Sequence, residues 1–148
     1  YAAERTATET FSSNISHIRR RLLLTDEMRL IMMFEDSFPS GGFIDCIDFL
    51  KPLERSSSAI DLISLRKLKT MLETLRKVTS FFDGIKDGVY PNLKRMSSRI
   101  LSFPEVQRRI DLILDRYGDV KDTASDQLYS IRKALHEKEG AISREKSL

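Results

Sequence analysis

Residues 58–82 read Ser58-Ala59-Ile60-Asp61-Leu62-Ile63-Ser64-Leu65-Arg66-Lys67-Leu68-Lys69-Thr70-Met71-Leu72-Glu73-Thr74-Leu75-Arg76-Lys77-Val78-Thr79-Ser80-Phe81-Phe82. Leu65, Leu68, Leu72 and Leu75 step by three, four and three residues, and Phe82 keeps the frame. That period marks one face of an α-helix and not the alternation of a strand. Ser58-Ala59-Ile60-Asp61 is a capping signal, so the spacing predicts a helix over 59–82. Met71 and Val78 widen the stripe, and so broad a stripe buries against more than one neighbour, as in a bundle.

The flanking segments follow the same logic. Ser13 is the expected cap of a helix over 14–35, in which Ile15, Ile18, Leu22, Leu24, Met28 and Ile31 recur at helical steps. Ser37-Phe38-Pro39-Ser40-Gly41-Gly42 breaks it. A short helix over Cys46–Leu50 is expected to stop before Pro52. Gly84 and Gly88 end the long helix, and Pro91 permits a short one over 92–101. Ser102-Phe103-Pro104-Glu105 starts another, with Ser102 as cap and Val106, Ile110, Ile113 and Leu114 on one face. Tyr117–Asp122 is a turn, and Asp122 or Thr123 caps a last helix with a seam of Ala124, Leu128, Ile131, Leu135 and Ile142. Lys138 interrupts that seam, and Gly140 weakens the helix by about 1 kcal/mol relative to Ala. So narrow a seam suits a helix that leaves the globule. The first dozen residues and the last ten look uncommitted. The expected fold is all-α: an irregular bundle of about six helices with a long projecting C-terminal helix. One helical domain over residues 1–148 is expected, in which roughly 120–148 begins a lever-type helix.

Composition fits this reading. The 148 residues are 41% hydrophobic and 32% charged, enough apolar material for a core and too much for a disordered chain. No window approaches the apolar length of a membrane span. One Cys excludes a disulfide framework and a Cys-based zinc site. The lone thiol and the lack of a secretory signal fit a reducing cytoplasm. A start at Tyr1 and a pattern running to Leu148 without a helix stop lead us to expect a fragment of a longer protein. Residues 1–74 carry 10 basic and 11 acidic side chains and residues 75–148 carry 15 and 11, an asymmetry too mild for a dedicated DNA-binding domain.

A search for chemistry finds little. Gly41-Gly42 is followed by Phe43-Ile44-Asp45 and not by the Gly-Lys-Ser/Thr ending of a phosphate loop. Cys46 lacks an adjacent base and reads as a buried, inert thiol. His17 and His136 lie too far apart for a local metal site. Asp111 and Asp115 share a helix face with Arg108 one turn before, which suggests ordinary surface ion pairs. Arg19-Arg20-Arg21 is the densest basic run, but three successive helical residues spread over ~300° and cannot make one patch. Contact of one or two of them with phosphate is a minor expectation.

Three stretches together resemble one family. The first is the helix 14–35 running into Pro39-Ser40-Gly41-Gly42-Phe43-Ile44-Asp45. The second is the helix starting near Ser58. The third is Ile110-Asp111, then Gly118-Asp119-Val120-Lys121-Asp122-Thr123-Ala124-Ser125, then Leu128 and Ile131-Arg132. They resemble the N-terminal core region of the type-two MutS family, bacterial MutS relatives that usually end in an Smr domain. In that family a turn of the form Asp-Gly-x-Val/Ile-x-Asp-x-Ala-Ser leads into a long helix reading Leu-x-x-Ile-Arg. The family commonly has Phe where this chain has Ser40. The matched residues Gly41, Gly42, Asp45, Gly118, Asp122, Ala124, Ser125, Leu128 and Arg132 read as architectural.

The resemblance implies a homodimeric parent protein that hydrolyses ATP with magnesium in its C-terminal half. It implies roles in binding branched DNA, suppressing homologous recombination and rescuing collided ribosomes, with nuclease activity in the Smr domain. Neither the ATP loop nor the Smr residues match these 148 positions, so no catalytic, cofactor or metal residue carries over. The implied role is that of a non-catalytic core and lever segment that couples ATPase state to a nucleic-acid clamp. The alternative is a free-standing helical protein–protein interaction module that uses the 65–82 stripe and the 128–142 seam.

Overall fold

The computed structural model describes residues 2–55, 59–126, 130 and 133. Among the described residues, six α-helices are delimited in order: α1 Ala2–Ala7, α2 Ile15–Phe34, α3 Ile47–Arg55, α4 Leu62–Gly84, α5 Pro91–Ser97 and α6 Pro104–Ile113. A 3-10 turn spans Asp122–Ala124. Among the described residues there is no strand, and one isolated antiparallel bridge joins Leu114 to Val120. The fold is all-α, as expected. Of the expected C-terminal helix, the seam residues Leu128, Ile131, Leu135 and Ile142 lie outside the described residues, while Asp126, Ser130 and Lys133 are described and helical. The chain divides into two compact units, Tyr1–Ser102 and Phe103–Leu148.

Local chemistry sets the helix starts, sometimes one residue from the expected place. Asn14 caps α2 in place of Ser13, its Oδ1 accepting from the His17 N–H at 3.1 Å. Asp61 caps α4: Oδ1 accepts from the Ser64 N–H at 2.9 Å and Oδ2 from the Ser64 hydroxyl at 2.7 Å. These bonds hold the Asp61 carboxyl below its ordinary pKa, the Ser64 hydroxyl contributing most. Ser102 does not cap α6. Pro104 takes the first helical position, so the cap falls on Phe103, which offers no side-chain acceptor. Pro52 lies inside α3 instead of ending it, where it supplies no N–H to the carbonyl one turn back. The short helix expected over 92–101 is α5, which stops at Ser97. The uncommitted N-terminus carries α1, built from Ala, Glu and Arg, all good helix formers.

The core of the first unit comprises Ile31, Val78, Phe81, Phe82 and Tyr90, with Leu30, Phe38, Ile85, Leu93 and Ile100 packed against it. Phe38, Phe81 and Phe82 meet edge to face at centroid distances of 5.1–6.1 Å. The buried face of α4 runs through Thr74, Val78, Phe81 and Phe82. The expected leucine stripe at 65, 68, 72 and 75 is only half-buried. On α2, Ile31 is fully buried, but Ile15, Ile18 and Leu22 are exposed. The core partners from α4 and α5 meet α2 near Ile31, and that half of the expected stripe is the half that buries.

Two acidic residues pin α2 to α5. The buried Glu27 carboxylate faces the start of α5. Oε1 accepts from the Asn92 N–H at 3.0 Å and from the Asn92 side-chain amide at 2.7 Å, and Oε2 accepts from the Leu93 N–H at 2.6 Å. Tyr90, the α5 cap, offers no side-chain bond of its own, so Glu27 supplies from another helix the acceptor that a local cap would give. Eight residues on, Glu35 Oε1 accepts from the Tyr90 hydroxyl at 3.0 Å. Burial, and then this carboxylate, push the Tyr90 phenol above its ordinary pKa. Lys94 Nζ donates to the Ile85 carbonyl at 2.6 Å and to Asp87 Oδ1 at 2.7 Å, closing the connection from α4 to α5.

The two glycines of the 41–42 turn do different work. Gly42 has φ +83°, and a Cβ there would run into the buried Thr74 hydroxyl on α4. Gly41 faces open space. Gly42→Ala is expected to lower unfolding free energy by about 1–3 kcal/mol, and Gly41→Ala to change it by less than about 0.5 kcal/mol. Glu27→Ala strands two backbone donors and is expected to cost about 2–4 kcal/mol. Urea unfolding followed by far-UV circular dichroism measures all three.

Candidate functional site

The helical register places Arg19 and Arg20 on the α2 face that also carries Ser16, Leu23 and Leu24. Across from it, Asn92, Arg95, Met96 and Arg99 occupy the same steps along α5 and its exit. Together they line a groove of about 440 Å³. All four arginines are exposed at its rim, and Leu23, Leu24 and Met96 supply its apolar lining. Four arginines outside the groove find carboxylates: Arg21 pairs with Glu9 at 2.7 Å, Arg29 with Asp26 at 2.9 Å, and Arg108 and Arg109 with Glu105 at 2.7 and 3.2 Å, whereas Arg76 and Arg116 pair with none among the described residues. Arg19, Arg20, Arg95 and Arg99 make no ion pair and no side-chain hydrogen bond among the described residues.

This revises the reading of the Arg19–Arg21 run. Its members do diverge, but by steps of about 100°, so Arg19 and Arg20 share one groove while Arg21 turns away to Glu9. Arg95 and Arg99 complete the cluster from a helix more than seventy residues on, which no inspection of positions 19–21 reveals. The chemistry on offer is recognition of oxyanions by planar, always-charged guanidiniums.

Among the described residues, the other candidates line no part of this groove. Asp45 Oδ1 accepts from the Ile47 N–H at 3.0 Å and so supports the start of α3. Cys46 is buried beside an apolar cavity of about 400 Å³ lined by Phe43, Ile44, Ile47, Leu50 and Met71. Burial, and then the nearby Asp45 charge, push its thiol above the ordinary pKa, the wrong direction for a nucleophile. His17 is exposed on α2, and His136 lies outside the described residues. Arg108 pairs with Glu105 and not with the Asp111–Asp115 face expected of it. Among the described residues no group of three His, Cys, Asp or Glu is placed to hold a metal ion.

In the second unit Asp115 organises a tight turn that folds back on α6. Its Oδ1 accepts from the Tyr117 N–H at 2.8 Å and the Asp119 N–H at 2.9 Å, and its own N–H donates to the Asp119 carbonyl at 2.8 Å. Gly118 sits between them at φ +83°. The Lys121 N–H then reaches the Ile113 carbonyl at 2.8 Å, and Lys121 Nζ donates to the Asp111 carbonyl. Leu114 and Ile110 are buried beneath. Asp122 and Thr123, the expected caps of the last helix, lie instead inside the 3-10 turn, which begins after the extended Lys121. Ala124 ends the turn, Ser125 is extended, and Leu128 and Arg132 lie outside the described residues. Sequence reasoning passed over Asp115 as the organiser, although Asp three residues before Gly is a turn signal.

The hydrogen bonds from Asp119 first, and from Tyr117 and Gly118, hold the Asp115 carboxyl below its ordinary pKa. A depressed carboxylate stabilises the fold above the unfolded-state value, near 3.9, and loses that contribution as pH falls through the lower folded value. The thermal midpoint is therefore expected to drop more steeply below about pH 4 in the wild type than in Asp115→Asn, as differential scanning calorimetry will read.

Sequence comparisons place the chain among known proteins. It is 28% identical over 131 residues to the Endonuclease MutS2 of Alkaliphilus oremlandii, a match covering 88% of this chain and 16% of that protein. It is 29% identical to Endonuclease MutS2 of a Geobacillus species, over 88% of this chain and 17% of the relative. For Endonuclease MutS2 of Listeria monocytogenes the identity is 30%, over 84% and 16%. The chain thus spans 16–17% of the length of these curated relatives. No family model and no solved structure matches it. Along most of its length this helical chain is similar to a short part of proteins that share one name, the MutS2 endonucleases.

Proposed function

We propose that the chain is a non-catalytic helical segment of a MutS2-type protein, serving as core and lever root between an ATPase and a nucleic-acid clamp. The observation that carries this reading is the pairing of near-complete coverage of this chain with 16–17% coverage of its relatives. The enzymatic activity in the relatives' name then belongs to other parts of a longer protein. ATP and magnesium would bind there, and dimer contacts and engagement of DNA or a ribosome would come through the parent protein as a whole. The interior supports a mechanical role. Its helices are joined by buried bonds such as those of Glu27 with Asn92 and Leu93.

A second reading has its own observation. Met32, Met33 and Phe34 stand exposed at the end of α2, as does Leu22 earlier on it, a surface suited to a protein partner. In that reading the chain is a free-standing interaction module. The gene beyond the Leu148 codon separates the two, because a glycine-loop ATPase downstream supports the first and a stop codon the second. The purified chain is expected to show no ATP turnover and no phosphodiester cleavage in a radiolabel assay. Robust turnover of either substrate overturns the non-catalytic assignment.

A further inference from the structure

We infer that the groove between α2 and α5 binds the phosphodiester backbone of a nucleic-acid strand through Arg19, Arg20, Arg95 and Arg99. The inference stands on the groove alone and does not depend on the mechanical reading above.

The physical case begins with repulsion. Arg95 lies near the end of α5 and Arg99 in the turn that follows it, and both line the same groove. Arg19 and Arg20 add two more cations to the same groove. Folding gathers all four here with no carboxylate paired to any of them among the described residues. The same chain neutralises Arg21, Arg29, Arg108 and Arg109. Its net charge is only +3, so this cluster concentrates positive charge far beyond the average of the surface. A polyanion relieves the repulsion.

The shape selects the kind of polyanion. Arg19 and Arg20 stand on α2, and Arg95 and Arg99 on α5 and the turn after it, along an exposed groove with apolar lining from Leu23, Leu24 and Met96. No glycine loop wraps a single phosphate. Two rows of guanidiniums suit successive phosphates of a strand, and the apolar side chains can meet sugar and base faces. Guanidiniums that grip phosphates carry no information about the bases, and the Asn92 amide has one N–H committed to Glu27. Recognition is therefore independent of sequence. DNA and RNA share this backbone chemistry.

The test is fluorescence anisotropy of the purified chain with a labelled 20-nucleotide DNA and its RNA counterpart across a salt series. Binding to at least one is expected, with log K falling linearly against log salt. A quadruple Arg19→Gln, Arg20→Gln, Arg95→Gln, Arg99→Gln variant should bind at least tenfold more weakly at low salt. It should also lower the salt slope by about 3, from four contacts at ~0.7 each on a single strand. Its melting temperature should stay level or rise, because the repulsion is gone. An Arg108→Gln, Arg109→Gln variant should bind as the wild type does. Equal affinity of DNA and RNA marks pure backbone recognition, and a preference names which strand the groove takes. The inference is overturned if neither strand binds, if the quadruple variant binds unchanged, or if that variant unfolds at lower temperature. Displacement of the strand by millimolar inorganic phosphate, beyond chloride at equal ionic strength, also overturns it, in favour of a single-anion pocket.

Discussion

One buried carboxylate holds the first unit together. α5 is seven residues long, too short to persist alone, and its cap residue offers no side-chain acceptor. Glu27 provides that acceptor from the middle of α2, with both oxygens committed to amides at the start of α5. The charge lies where the helix dipole is positive, which offsets part of the desolvation that burial imposes. Tyr90, Leu93 and Ile100 can complete the core only while α5 stays docked in this way, and the Arg95–Arg99 side of the groove depends on the same docking.

The second unit solves a similar problem locally. Asp115 bonds forward to two amides of its own turn, Gly118 adopts the left-handed conformation that the reversal needs, and Lys121 clamps the returning segment to the carbonyls of α6. The bridge between Leu114 and Val120 is the outcome. The residues shared with the MutS2-like motif thus begin in a hydrogen-bonded reversal whose geometry depends on a residue ahead of that motif, Asp115.

Local signals were legible in the sequence and distant ones were not. The Ser58–Asp61 signal and Gly84 bracketed the long helix because caps are read from neighbouring residues. The Tyr117–Asp122 turn was visible for the same reason. The phase of burial was not: α4 turns Thr74, Val78 and Phe81 inward, while four evenly spaced leucines stay half-exposed. Which face buries depends on where α2 and α5 arrive, and periodicity alone does not say. Glu27 gave no local cue, since its partners lie 65 and 66 residues away. The arginine groove escaped notice for the same reason, half of it being written on each of two helices.

The apolar side chains left in water on α2 bear on how folding of this chain can be followed. Met32, Met33, Phe34 and Leu22 offer a dye such as ANS the kind of surface that it usually finds only in loosened, partly folded states. The native chain will therefore fluoresce with such a dye before any heating. A dye-based melt would then start from a bright baseline and blunt the transition, and an intrinsic backbone signal is the sounder gauge of its folding.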